Sequence, residues 1–163
     1  MRKMLIPMVV FGSIIVSQAQ LFQANLDGLQ EVPPNPSPAF GQGNFILSGH
    51  TLSVSSGSYQ EVPGGATSIT LNIGRPGTTG FFPVFTLRLD TPGAMSGTFS
   101  GSGVLNPVQI LDLNAGDLYV NIVSPDFPGG EIRGQLEPVP EPSTIALIGV
   151  GSLGLLALRR RNV

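Results

Sequence analysis

Hydrophobic and polar positions alternate through most of the interior of this chain. Phe22, Ala24 and Leu26 take turns with polar neighbours, as do Ile69, Leu71 and Ile73, Phe85, Leu87 and Leu89, and Leu118, Val120 and Ile122. A period of two belongs to a strand with one buried face. The pattern predicts strands over residues 21–26, 43–47, 52–56, 68–73, 84–89, 97–103, 118–123 and 131–136. Pro33-Pro34-Asn35-Pro36, Pro63-Gly64-Gly65, Pro76-Gly77 and Pro128-Gly129-Gly130 separate them with turns. Residues 108–113 form the one predicted helical turn, stopped by Asn114-Ala115-Gly116. Strands this short, with turns at this spacing, predict an all-β fold: a single β-sandwich of Greek-key, immunoglobulin-like type, favoured over a barrel.

The two ends depart from this pattern. Arg2 and Lys3 precede an apolar run over residues 4–16, and Ser17-Gln18-Ala19 then offers small residues around a cut between Ala19 and Gln20. Positive charge, apolar stretch and small-x-small site in that order predict a signal peptide over residues 1–19, removed by signal peptidase. Near the other end, residues 145–158 are apolar or small and run into Arg159, Arg160 and Arg161. As a helix this run is about 21 Å long, short of a hydrocarbon core of roughly 30 Å. Flanking Ser143 and Thr144 and snorkelling arginines make up much of the difference, so a short transmembrane helix is predicted with its arginines on the cytoplasmic side. Pro138-Val139-Pro140-Glu141-Pro142-Ser143 ahead of it is a stiff, extended linker, since each proline fixes φ and removes a donor.

Setting these ends aside changes the charge. Five of the eight basic residues lie in them. Residues 20–137 keep Arg75, Arg88 and Arg133 against nine carboxylates, a net charge of −6 with no lysine. Such a surface has no footprint for a phosphate backbone, which excludes nucleic acid as a partner. The chain has no cysteine, so disulfides and thiolate chemistry are excluded as well. About 120 mature residues suffice for one domain with its own core.

Two resemblances follow from these residues. Val139-Pro140-Glu141-Pro142-Ser143, a short apolar stretch and the arginine cluster at 159–161 resemble a PEP-CTERM sorting signal over residues 138–163. Such tails occur on exported proteins of Gram-negative bacteria that make extracellular polysaccharide. The resemblance implies processing by an exosortase-type peptidase, transient inner-membrane anchoring, and delivery to the cell surface or extracellular matrix. Phe22-x-Ala24-x-Leu26-x-Gly28 with Glu31-Val32-Pro33-Pro34 is similar to the opening of the CHRD (chordin-type) domain. Ala115-Gly116-Asp117-x-Tyr119-Val120-Asn121-Ile122 and Pro128-Gly129-Gly130-Glu131-Ile132-Arg133-Gly134-Gln135 are similar to its close. This implies an extracellular all-β module over residues 20–137 with no enzymatic activity. The family's His-x-His pair and third histidine fall here on Thr70, Asn72 and Val123, which offer no imidazole.

Other chemical signals are weak. His50, the single histidine, sits in a Gly-His-Thr turn, and there is no Gly-x-Ser-x-Gly elbow. Gly149-Val150-Gly151-Ser152-Leu153-Gly154 fits a dinucleotide fingerprint by letters, but it lies in the apolar tail with no acid beyond it. Asp112-Leu113-Asn114-Ala115-Gly116-Asp117 starts like a calcium loop, yet Val123 stands where the bidentate glutamate belongs. Glu31, Glu131 and Arg133 are charges set among apolar residues and turns. Arg133 is expected to pair with Glu131 along its strand and with Glu31 across the sheet, as structural ion pairs. No catalytic residue, cofactor or resident metal is expected. The functional expectation is an exported, structural or adhesive module, with extracellular polysaccharide as a candidate partner. The alternative is an extracellular module that binds a small ligand or calcium.

Overall fold

The computed structural model describes residues 19–80 and 83–140. Its strands are β1 (Gln20–Asp27), β2 (Phe40–Ser48), β3 (Thr51–Gln60), β4 (Ser68–Ile73), β5 (Pro83–Leu89), β6 (Gly97–Ser100), β7 (Ser102–Val104), β8 (Leu118–Val123), β9 (Ile132–Gln135) and β10 (Glu137–Pro138). One helix, α1 (Pro107–Asn114), lies between β7 and β8. The alternating segments all became strands, since that pattern buries one face of each.

All pairings are antiparallel, and they close on themselves. The order β1-β2-β3-β6-β5-β4-β8-β9 returns from β9 to β1 through Asp27 opposite Arg133, giving a closed eight-stranded barrel. The expected β-sandwich is therefore wrong. A sandwich needs free edges on two sheets, whereas β1 is bonded along both of its edges: to β2 from Gln20↔Leu47 to Asp27↔Phe40, and to β9 and β10 on the other side. Closure removes the open edges that invite further pairing. Inside the ring, Phe22, Leu26, Phe45, Leu52, Ile69, Leu71, Ile122 and Ile132 are buried and form one cluster. An eight-stranded ring encloses about the volume that its own inward side chains fill.

Because neighbouring strands run in opposite senses, the barrel has two distinct poles. The chain enters at Gln20 and leaves beside it, since Pro138 pairs with Phe22 and the Val139 amide donates to the Leu21 carbonyl at 2.9 Å. This terminal pole also carries the Gly49-His50 turn and α1. The helix starts at a capping box: the Asn106 side chain accepts from the Gln109 amide at 2.9 Å, and Gln109 returns the bond at 2.9 Å. Pro107 fills its first turn, and Leu113 buries against the core. The distal pole is built from residues 28–39, 61–67, 90–96 and 124–131. Among the described residues no helix is long and apolar enough to cross a membrane. The predicted transmembrane helix and most of the predicted signal peptide lie outside the described residues.

Candidate functional site

Side chains that point out of β4, β8 and β9 form a polar wall that two loops cover. The register sets Thr70 beside Asn121 and Arg133, and Asn72 beside Tyr119 and Gln135. Arg133 is only 2% exposed, so its charge has left water. One guanidinium nitrogen donates to the Thr78 carbonyl at 2.6 Å. The other donates to the Arg75 carbonyl at 2.9 Å, the Gly74 carbonyl at 3.4 Å and Gln135 Oε1 at 3.2 Å. The guanidinium plane stacks on Tyr119, and Gln135 Nε2 adds bonds of 2.7 Å to the Gly74 and Gly116 carbonyls. The Gly80 amide donates to the Tyr119 hydroxyl at 3.1 Å. Together these bonds clamp the 74–80 loop onto the outside of the barrel.

The expected ion pairs are not formed. Arg133 spends its donors on carbonyls and an amide, and the ion pair found among the described residues is the exposed Arg75–Asp117 contact at 3.3 Å. Glu31 and Glu131 are nevertheless buried, at 8% and 0% exposure. Glu31 follows a single 3-10 turn, Gly28–Gln30, which Asp27 caps by accepting from the Gln30 amide at 3.0 Å. Glu131 Oε1 accepts from the Ser37 hydroxyl at 2.6 Å, while Asn35 donates to the Gly130 and Glu131 carbonyls at 3.3 and 3.0 Å. Among the described residues three buried oxygens have no partner: Glu31 Oε1, Glu131 Oε2 and Asn121 Oδ1. Burial pushes the Glu31 carboxyl up to about 7, with the Arg133 charge and the Val32 backbone N–H pulling the other way.

Gly130 sits among these oxygens with φ 143°, a conformation that favours glycine. A Cβ on it would lie 2.6 Å from Glu31 Oε1, 2.7 Å from Glu31 Oε2 and 2.7 Å from Asn121 Oδ1. The two side chains thus converge on a space that glycine alone leaves open. A groove of about 340 Å³ between residues 31–35 and 126–130 leads to it.

The remaining candidate positions are dispersed. Thr70 and Asn72 are hydrogen-bonded to each other at 2.9 Å on β4, and Val123 lies on β8 opposite Ser68, so the three share one face of neighbouring strands. His50 is exposed in its turn. Asp112 falls within α1, and Asp117 pairs with Arg75, so that stretch is a helix end and not a calcium loop. Gln20, the residue after the predicted cut, is the first of β1, with Ala19 just before it. Val139 and Pro140 leave along the β1 edge, whereas Glu141, Pro142, Ser143, Arg159, Arg160 and Arg161 lie outside the described residues. Reading the sequence missed Tyr119, Asn121 and Gln135 as partners of Arg133 and Glu31. Their signal was their parity with Arg133 across paired strands.

The model of the CHRD domain matches residues 22–136, the whole ring with both of its closing strands. The chain belongs to the CHRD domain family. A second model, the PEP-CTERM protein-sorting motif, matches residues 138–161 and begins on the second residue of β10. That motif marks this CHRD protein for export, sorting to the cell surface and processing by exosortase. No curated protein and no solved structure matches the chain.

Proposed function

We propose that this chain is a non-catalytic CHRD module displayed at the cell surface or in the extracellular polysaccharide matrix, with a structural or adhesive role. The observation that carries this reading is the direct junction of the sorting motif with the barrel. Pro138, where the motif begins, pairs with Phe22 beside β1, and the next amide, Val139, donates to the Leu21 carbonyl, so the motif starts within the domain's own sheet. Among the described residues, core side chains such as Phe22, Phe45 and Ile122 pack into one cluster inside the ring. A net charge of −6 keeps such a domain soluble outside the cell.

The experiment replaces Pro140-Glu141-Pro142 with alanines and follows the protein through cell fractionation. The expected result is unprocessed protein held in the membrane fraction and none in the matrix. A strain lacking the gene should in turn shed more matrix or adhere less. Normal trimming and release of the altered chain, together with unchanged adhesion of the deletion strain, would overturn the reading.

A further inference from the structure

Beyond display at the surface, the distal pole holds oxygens arranged to receive an ion. Buried acceptors without donors are rare in native proteins, and each calls for an occupant that satisfies it. Here three occur on neighbouring residues: Glu31 Oε1, Asn121 Oδ1 and Glu131 Oε2. The first two converge over Gly130, and Glu131 follows Gly130 in the chain. Among the described residues nothing donates to them. The Asn121 amide nitrogen is committed to the Gly129 carbonyl at 3.3 Å, and Arg133 is committed to the 74–80 loop. The buried Glu31 carboxylate therefore lies near a guanidinium that does not bond to it, which leaves negative charge in a place where it is costly.

We propose that the pocket over Gly130 is a divalent-cation site of calcium type, with Glu31 and Asn121 as side-chain ligands and Glu131 as the adjoining carboxylate. Hard oxygen donors from carboxylate and amide side chains are the ligands that calcium takes, completed by carbonyls and water. The groove between residues 31–35 and 126–130 opens beside Glu31 and Gly130. Through that groove water completes the coordination. Two carboxylates and a few neutral oxygens suit the 10⁻⁴–10⁻³ M range of extracellular calcium modules. Bound there, the ion ties the segment after β1 to β8 and to the turn before β9, closing the distal pole.

The test is calorimetric titration of the exported protein with Ca²⁺, with Mg²⁺ in parallel, and thermal melting in Ca²⁺ and in chelator. Wild type should bind one Ca²⁺ and melt higher in its presence, with a much weaker response to Mg²⁺. Glu31→Gln and Asn121→Ala should each weaken Ca²⁺ binding at least tenfold while remaining folded in chelator. Asp112→Asn, on α1 at the terminal pole, should bind as wild type does. No heat and no Ca²⁺-dependent change in Tm for the wild type would overturn the proposal and leave a proton or water as the occupant. Binding undiminished in both Glu31→Gln and Asn121→Ala would overturn it equally, because the ion would then sit elsewhere. Either failure leaves the surface-display reading intact, since the fractionation experiment does not involve these residues.

Discussion

The guanidinium carbon of Arg133 lies 3.6 Å from the centroid of the Tyr119 ring, on the outer wall of the barrel and beneath the 74–80 loop. Stacking holds the guanidinium plane, so its donors meet fixed carbonyls without further loss of freedom. Arg133→Ala would leave those carbonyls and Gln135 without their donor, at a cost of about 3–5 kcal/mol. Arg133→Lys should lose less, because an ammonium supplies three donors but no plane to stack. A double-mutant cycle with Tyr119→Leu, read by urea denaturation, should give a coupling of about 1 kcal/mol or more. Stabilities near wild type in all three variants would show that the clamp contributes nothing to the fold.

Stability should also depend on pH through Glu31. In the unfolded chain this carboxyl titrates near 4.5, and in the folded chain at about 7. Between those values the folded state holds a proton that the unfolded state has released, so the contribution is present at acid pH and is lost as pH rises through 7. The full difference is on the order of 3 kcal/mol. In chelator, Glu31→Gln should therefore match the wild type at pH 5 and exceed its stability at pH 8. Urea denaturation at the two pH values measures this, and parallel behaviour of both proteins would refute it.

Two loops of the distal pole cross backbone to backbone at Gly65. Its φ is 82°, and a Cβ there would run into the Gly93 carbonyl. Gly65→Ala should cost about 2 kcal/mol or more, from left-handed strain plus displacement of the Gly93 turn. The expected signature is a lower urea midpoint, together with faster amide exchange at Gly93, whose N–H bonds to the Ala66 carbonyl at 2.7 Å.

Processed protein should begin at Gln20. A cut after Ala19 leaves β1 whole, with Gln20 still opposite Leu47. Mass spectrometry of exported protein reads this directly, and a start several residues into β1 would contradict it.

Strands and turns were legible in the sequence because each depends on residues close together in the chain. Residues 68–73 and 118–123 match β4 and β8 end to end. Closure was not legible: the Asp27↔Arg133 pairing joins residues 106 positions apart, and inward alternation looks the same in a sandwich and a barrel. Both charged motifs stood out in the sequence, yet the partners of Arg133 did not. Its acceptors are main-chain carbonyls of Gly74, Arg75 and Thr78, and a carbonyl carries no residue signature. Gln30-Glu31-Val32-Pro33 and Gln60-Glu61-Val62-Pro63 share their letters but not their setting, the first following a 3-10 turn and the second ending β3, with Glu31 buried and Glu61 exposed.

The shared exit of both termini gives the barrel a direction under load. Tension applied through the tail and resisted at the distal pole pulls β9 and β10 along their own axes. Their hydrogen bonds to β1 and β8 are then sheared together and not opened one after another. Strands loaded in shear must break many bonds at once, whereas strands loaded as a zipper break them singly. A tethered module built this way resists extraction from its tethered end, whereas a sideways pull across the β5–β6 seam, paired through Arg88↔Ser100 and Leu89↔Phe99, loads its bonds one after another.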